Sequence, residues 1–86
     1  MTYTVLLSRQ AEKFYKQLEK NVKARVREAL IIIENQPYTG KRLHGELKEN
    51  YSMRIGKTRI IYTISEKDKT IHIIAIGPRK TIYRSF

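Results

Sequence analysis

Residues 51–62 read YSMRIGKTRIIY, and their pattern sets the architecture of the rest. Two β-patterned runs, Tyr51 to Ile55 and Thr58 to Ile64, meet at Gly56 and Lys57, a glycine-first two-residue connection of the type II′ kind. Counting back from that turn pairs Ile55 with Thr58, Arg54 with Arg59, Met53 with Ile60 and Tyr51 with Tyr62. The period of two then puts Tyr51, Met53, Ile60, Tyr62 and Ile64 on one face, and Ser52, Arg54, Arg59 and Ile61 on the other. Arginines directly opposed across two strands repel. Either they splay apart as solvated surface charges, or the face they share is made to receive an anion.

Outward from the hairpin the chain alternates strand and helix patterns. On the C-terminal side a polar turn, Glu66 to Lys69, leads to TIHIIAI at residues 70–76. Pairing Ser65 with Thr70 sets Ile64 against Ile71, Tyr62 against Ile73 and Ile60 against Ala75, and leaves His72, Ile74 and Ile76 on the opposite face. A strand apolar on both faces belongs inside a sheet. Gly77 and Pro78 are expected to end it, releasing a basic tail, residues 79–86, to cross the sheet. On the N-terminal side, Tyr3 to Leu7 is a short strand and Ser8 a helix cap. A helix over about Arg9 to Lys20 carries the stripe Ala11, Phe14, Tyr15 and Leu18. Asn21 is expected to break it before a second helix, about Val22 to Asn35, which Pro37 stops. Tyr38 to Asn50 reads as a loop. The fold class is α+β, one domain over residues 1–86: an N-terminal strand, an αα-hairpin, then a mainly antiparallel meander in one twisted sheet.

Eighteen Lys and Arg against eight Asp and Glu give a net charge of +10 in 86 residues. The excess is concentrated after residue 50, where eight basic side chains meet two acidic ones. Such a field suits a polyanion, with nucleic acid first and an acidic protein second, since neutralising phosphates releases condensed counterions. No basic amphipathic helix with an aromatic face suggests a membrane partner. There is no cysteine, hence no disulfide framework, and no apolar run of spanning length, which points to a reducing cytosol. Neither a glycine-rich phosphate loop nor a metal-binding cluster is present, so no metal and no small-molecule cofactor is expected. His44 reads as a loop residue and His72 as a partly buried packing residue. Ser8, Ser52, Ser65 and Ser85 have no partner base in sequence. What remains is arginine interleaved with aromatics. RNA carries its own 2′-hydroxyl nucleophile, so a protein can cleave it by alignment and charge stabilisation without a metal. The same surface would serve an RNA-binding or protein-binding module, and arginine, which stays protonated, leaves the proton acceptor unassigned.

The segment RLHGELKENYSMRIGKTRIIY at residues 42–62 and the ending IGPRKTIYR at residues 76–84 resemble the RelE/ParE toxin family. The spacing of Leu43, Gly45 and Leu47, followed by Tyr51, Arg54, Gly56, Arg59 and Tyr62, carries the likeness. The resemblance implies a toxin paired with an acidic RelB-like antitoxin. Its RelE-like branch consists of ribosome-dependent endoribonucleases that cut mRNA in the A site and inhibit translation; its ParE-like branch inhibits DNA gyrase. Carried over, it makes Arg54, Arg59, Arg79 and Tyr83 the catalytic set, with Ser52, Lys57, Lys80 and Arg84 binding RNA. Ser52 stands where well-known ribonucleases of the family have a lysine, Pro78 where many relatives have a histidine, and Arg79 is closer to Tyr83 than in the type enzyme. The presence of Arg54, Arg59, Arg79 and Tyr83 favours RNA cleavage. A gyrase inhibitor and a catalytically weak binding module are the alternatives. Arg59 and Arg79 are expected on an open sheet face, contributing little to stability.

Overall fold

The structure, a computed structural model, describes residues 3–43 and 49–82. The elements are β1 (Thr4–Leu7), α1 (Arg9–Lys16), α2 (Lys20–Asn35), a 3-10 turn (Pro37–Thr39), β2 (Lys41–Arg42), β3 (Tyr51–Ile55), β4 (Thr58–Ser65) and β5 (Thr70–Pro78). They form one sheet in the order β1-β5-β4-β3-β2. β1 runs parallel to β5 and every other pairing is antiparallel.

The hairpin has the register that the turn dictates: Ile55 faces Thr58, Arg54 faces Arg59, Met53 faces Ile60 and Tyr51 faces Tyr62. Gly56 takes a φ of 58°, while Lys57 stays out of the left-handed region, the combination a glycine-first II′ turn needs. One face of the sheet packs on the helices. Ile60, Tyr62, Ile71, Ile73 and Ile76 are buried there against Ala11, Val26, Ala29 and Ile33.

Ser8 caps α1, its Oγ accepting from Ala11 N at 3.1 Å. The helices meet earlier than expected. α1 ends at Lys16, where Gln17 N–H and Leu18 N–H turn back to Phe14 O and Tyr15 O, and Asn21 lies inside α2 rather than between the helices. Bonds of i→i+3 type close the last turn of α1 and leave Gln17 to Glu19 as the linker.

β5 departs from strict alternation. Ile64↔Ile71 and Tyr62↔Ile73 are as counted, but Ile61 then faces Ala75, and Ile60 faces Ile76 instead of Ala75. Ile74 is thus the extra residue of a bulge, and everything after it changes face. Ile76 enters the helix-side core, while Ala75 joins Ile61 and Ile82 in a small cluster on the outward face. The start of α1 holds the bulge. Ser8 Oγ donates to Ile74 O at 2.6 Å, and the Gln10 side-chain amide both donates to Ile76 O and accepts from Ile76 N, each at 3.2 Å. These groups satisfy backbone that lost its neighbour when β1 stopped opposite Ile73. Gln10→Ala is therefore expected to cost about 1 kcal/mol, roughly the net contribution of such bonds, read as a lower urea midpoint at unchanged m.

Gly77 and Pro78 do not end β5; they pair with Arg59 and Thr58. The ladder bond there comes from Arg79 N to Lys57 O at 2.7 Å, so the N–H that proline lacks would have pointed to the open edge. The chain turns afterwards, with Thr81 N bonded to Pro78 O. Ile82 then lies back over Gly77, where a Cβ would meet Ile82 Cδ1 at 2.8 Å. His72, expected to be partly buried, is exposed on the outward face, because its neighbour there on β1 is Leu6, itself half exposed, and none of the described elements packs over the pair. His44, Gly45, Leu47 and Ser85 lie outside the described residues. No described helix is long and apolar enough to cross a membrane.

Candidate functional site

The outward face of the hairpin presents Ser52 and Arg54 on β3 and Arg59 on β4. Arg54 and Arg59 are direct cross-strand partners. Arg54 is exposed; Arg59 is half-buried, with its Nε sealed from solvent. That corrects the expectation of an open arginine at position 59, and the reason is the fold beyond the hairpin. Opposite Arg59 on its other side stands Gly77, over which Ile82 packs.

A residue pair that sequence reasoning assigned to a loop completes the site. Lys41 and Arg42 form β2, with Lys41 opposite Ser52 and Arg42 opposite Tyr51. Two residues are too few to show alternation, so this strand had no signature of its own. Its placement comes from below the sheet: the buried Tyr62 hydroxyl donates to Pro37 O at 2.7 Å and accepts from Gly40 N at 3.1 Å. Tyr62 is itself held by stacking on Tyr51, which takes the edge of Tyr38. Gly40 has no room for a side chain, since a Cβ would lie 2.3 Å from Tyr62 Oη and 3.0 Å from Ser52 O.

The result is an open cleft of about 420 Å³ with Thr39, Gly40 and Lys41 on one wall and Ser52, Met53, Arg54 and Arg59 on the other. Three cations line it, and among the described residues no carboxylate does. Ser52 is buried in it as a neutral hydroxyl. The remaining described candidates gather elsewhere. Lys57, Arg79 and Lys80 surround a second hollow of about 400 Å³ with Pro78 at the tip of the same hairpin. Arg79 and Lys80 are exposed. Thus Ser52, Arg54 and Arg59 come together, and so do Lys57, Arg79 and Lys80, but the two sets line separate hollows. Tyr83 and Arg84 lie outside the described residues. Among the described residues no group of three or more His, Asp or Glu side chains could hold a metal ion.

A family model described as the ParE-like toxin of type II bacterial toxin-antitoxin systems matches residues 5–86. The chain belongs to this toxin family. Solved structures agree in fold. A chain of the RelBE toxin-antitoxin complex from Mycobacterium tuberculosis is 28% identical, with a TM-score of 0.83, over 92% of this chain and 100% of that one. A chain of the archaeal RelE-RelB complex from Pyrococcus horikoshii is 32% identical, with a TM-score of 0.79, over 92% and 97%. The isolated RelE toxin of Escherichia coli, at 18% identity and a TM-score of 0.77 over 88% and 83%, shares the fold. No curated protein matches the sequence.

At the far end of β4 from the cleft, the toxin carries a separate polar clamp. Glu66 accepts from Lys69 Nζ at 2.7 Å, from Tyr3 Oη at 2.9 Å and from Tyr38 Oη. The Lys69 ammonium first, then the two hydroxyls, hold the Glu66 carboxyl down from the ordinary 4.5 to about 2. The same carboxylate pushes Tyr38 up to about 12. A carboxylate with a depressed folded pKa stabilises above its unfolded value and loses that effect as pH falls toward the folded one. A phenol with a raised pKa stabilises below 10 and loses its effect as pH rises toward 12. Thermal melts should therefore show a clamp contribution, weakened by solvent exposure, fading from pH 4.5 to 2 and again from 10 to 12. In Glu66→Gln the low-pH step attributable to this group should vanish.

Proposed function

We propose that this toxin is a ribosome-dependent endoribonuclease that cleaves mRNA in the A site and thereby stops translation. The observation that supports the reading most is the directly opposed pair Arg54 and Arg59 in a cleft that, among the described residues, is lined by cations and no carboxylate. Two guanidinium forks on one sheet face match the non-bridging oxygens of a phosphodiester. Attack by the RNA 2′-oxygen forms a new O–P bond and breaks the bond to the 5′-oxygen, leaving a cyclic phosphate and a hydroxyl. Charge builds on the phosphoryl oxygens during attack, where fixed cations stabilise the transition state more than the ground state. Arg59 is assigned to the phosphoryl oxygens, Arg54 to the same phosphate, and Arg79, from the second hollow, to the leaving oxygen. Tyr83 is assigned to stack on a substrate base, with Lys57, Lys80 and Arg84 on flanking phosphates and the Ser52 hydroxyl within the cleft. Among the described residues no neutral base lines the cleft, and the proton acceptor, a protein or a ribosomal group, is left unassigned.

Purified toxin added to translating ribosomes should produce breaks at A-site codons and none in the same message without ribosomes. Intact message combined with blocked gyrase supercoiling would replace this reading with gyrase inhibition, and neither effect would leave a binding module.

The neutralising partner proposed for the toxin is an acidic RelB-like antitoxin, a largely extended chain with a helical segment that folds as it binds. The charge of +10 supports it, as do two adjacent isoleucines on α2, Ile31 and Ile32, which are 53% and 49% exposed. The M. tuberculosis and P. horikoshii relatives come from a RelBE toxin-antitoxin complex and a RelE-RelB complex. Association should be fast and weakened by salt.

A further inference from the structure

The cleft contains a cation that the hairpin alone does not supply, and we infer that Lys41 is a substrate-binding residue, its ammonium donating to an RNA phosphate held in the same cleft by Arg54 and Arg59. The inference rests on the cleft being the RNA site. Directly opposed residues of antiparallel strands project to the same face. Lys41 is opposite Ser52, and Ser52 shares its face with Arg54 and Arg59, so all four look into one hollow. Among the described residues Lys41 makes no ion pair, which leaves its three donors for a ligand.

The fold places this lysine deliberately close. Tyr62 Oη ties down both Pro37 O and Gly40 N, the groups just before it, and Gly40 presses against Ser52 O where a side chain could not fit. A strand of two residues would otherwise be free to leave the sheet edge. Here its first residue is held opposite the buried Ser52, and a flexible four-carbon stem can bring the ammonium to a phosphate oxygen in the cleft. Arginine forks and a lysine point charge then approach the phosphate from different strands, two from the hairpin and one from the edge.

The test uses full-length toxin and an RNA hexamer methylated at every 2′-oxygen, which can bind but cannot be cleaved. Dissociation constants are measured at several salt concentrations for wild type, Lys41→Ala, Lys41→Arg, Arg59→Ala and the control Lys67→Ala, which sits in the turn at the opposite end of β4. Lys41→Ala should weaken binding about tenfold, the loss of one charge-assisted contact, and lower the salt slope by about 0.7. Lys41→Arg should restore both, with melting temperatures of the Lys41 variants unchanged. If Lys41→Ala binds like wild type or like Lys67→Ala while Arg59→Ala fails, the inference is overturned and the cleft remains the RNA site. If wild type does not bind the hexamer, the inference is overturned with it. If Lys41→Ala loses hexamer affinity but wild type leaves ribosomal messages intact, the lysine contact is supported and the endonuclease reading is the one that fails.

Discussion

Arg59→Ala is expected to reduce message cleavage on ribosomes by about 10² to 10³, the usual effect of deleting one charged donor from a preorganised site. Unlike an arginine on an open face, Arg59 is half-buried with its Nε sealed from solvent. Truncating it also removes packing beside Gly77 and should lower stability by roughly 1 kcal/mol. Arg79→Ala provides the comparison. Arg79 is exposed in the second hollow, so its removal should leave stability within about 0.5 kcal/mol while still suppressing cleavage. Cleavage rates and urea midpoints measured together decide the matter. Wild-type rates in both variants, or losses that only track unfolding, would remove these arginines from the site.

Gly40→Ala should damage both the fold and the cleft. The added methyl would stand 2.3 Å from Tyr62 Oη and 3.0 Å from Ser52 O, the second of which is backbone and cannot swing away. Relief requires β2 to move off β3, which breaks the Gly40 N to Tyr62 Oη bond and leaves a buried phenol short of a partner. Overpacking and an unsatisfied buried group each typically cost 1 to 3 kcal/mol, so a loss of roughly 2 to 4 kcal/mol is expected. The displaced wall carries Lys41, and cleavage measured where the variant is still folded should fall as well. Tyr62→Phe isolates the second cause. It keeps the stacked ring against Tyr51 and loses only the two hydroxyl bonds, so its stability loss should be smaller than that of Gly40→Ala. Equal losses would assign the effect to the bonds and not to the close approach.

The hairpin was legible from its own residues because a two-residue turn fixes register by counting and side chains then alternate without exception. That count placed Arg54 opposite Arg59, sorted Tyr62 inward and Ser52 outward, and made the helix stripes of Ala11 and Val26 the cover for the inner face. The +10 charge and the missing cysteines were equally plain. Tertiary structure alone decided what happens where local periodicity is broken or too short to see. The bulge at Ile74 exchanges Ala75 and Ile76 between faces because Ser8 and Gln10, more than sixty residues away in sequence, hold backbone that β1 no longer pairs. β2 exists because a buried phenol reaches under the sheet to Gly40, so Lys41 became a wall of the cleft through a hydrogen bond that no two-residue pattern encodes. Arg59 is half-buried where β5 pairs with it at Gly77, the residue over which Ile82 folds. In the first two cases the deciding contact joins segments far apart in the chain, and its energy is gained only when both are already in place.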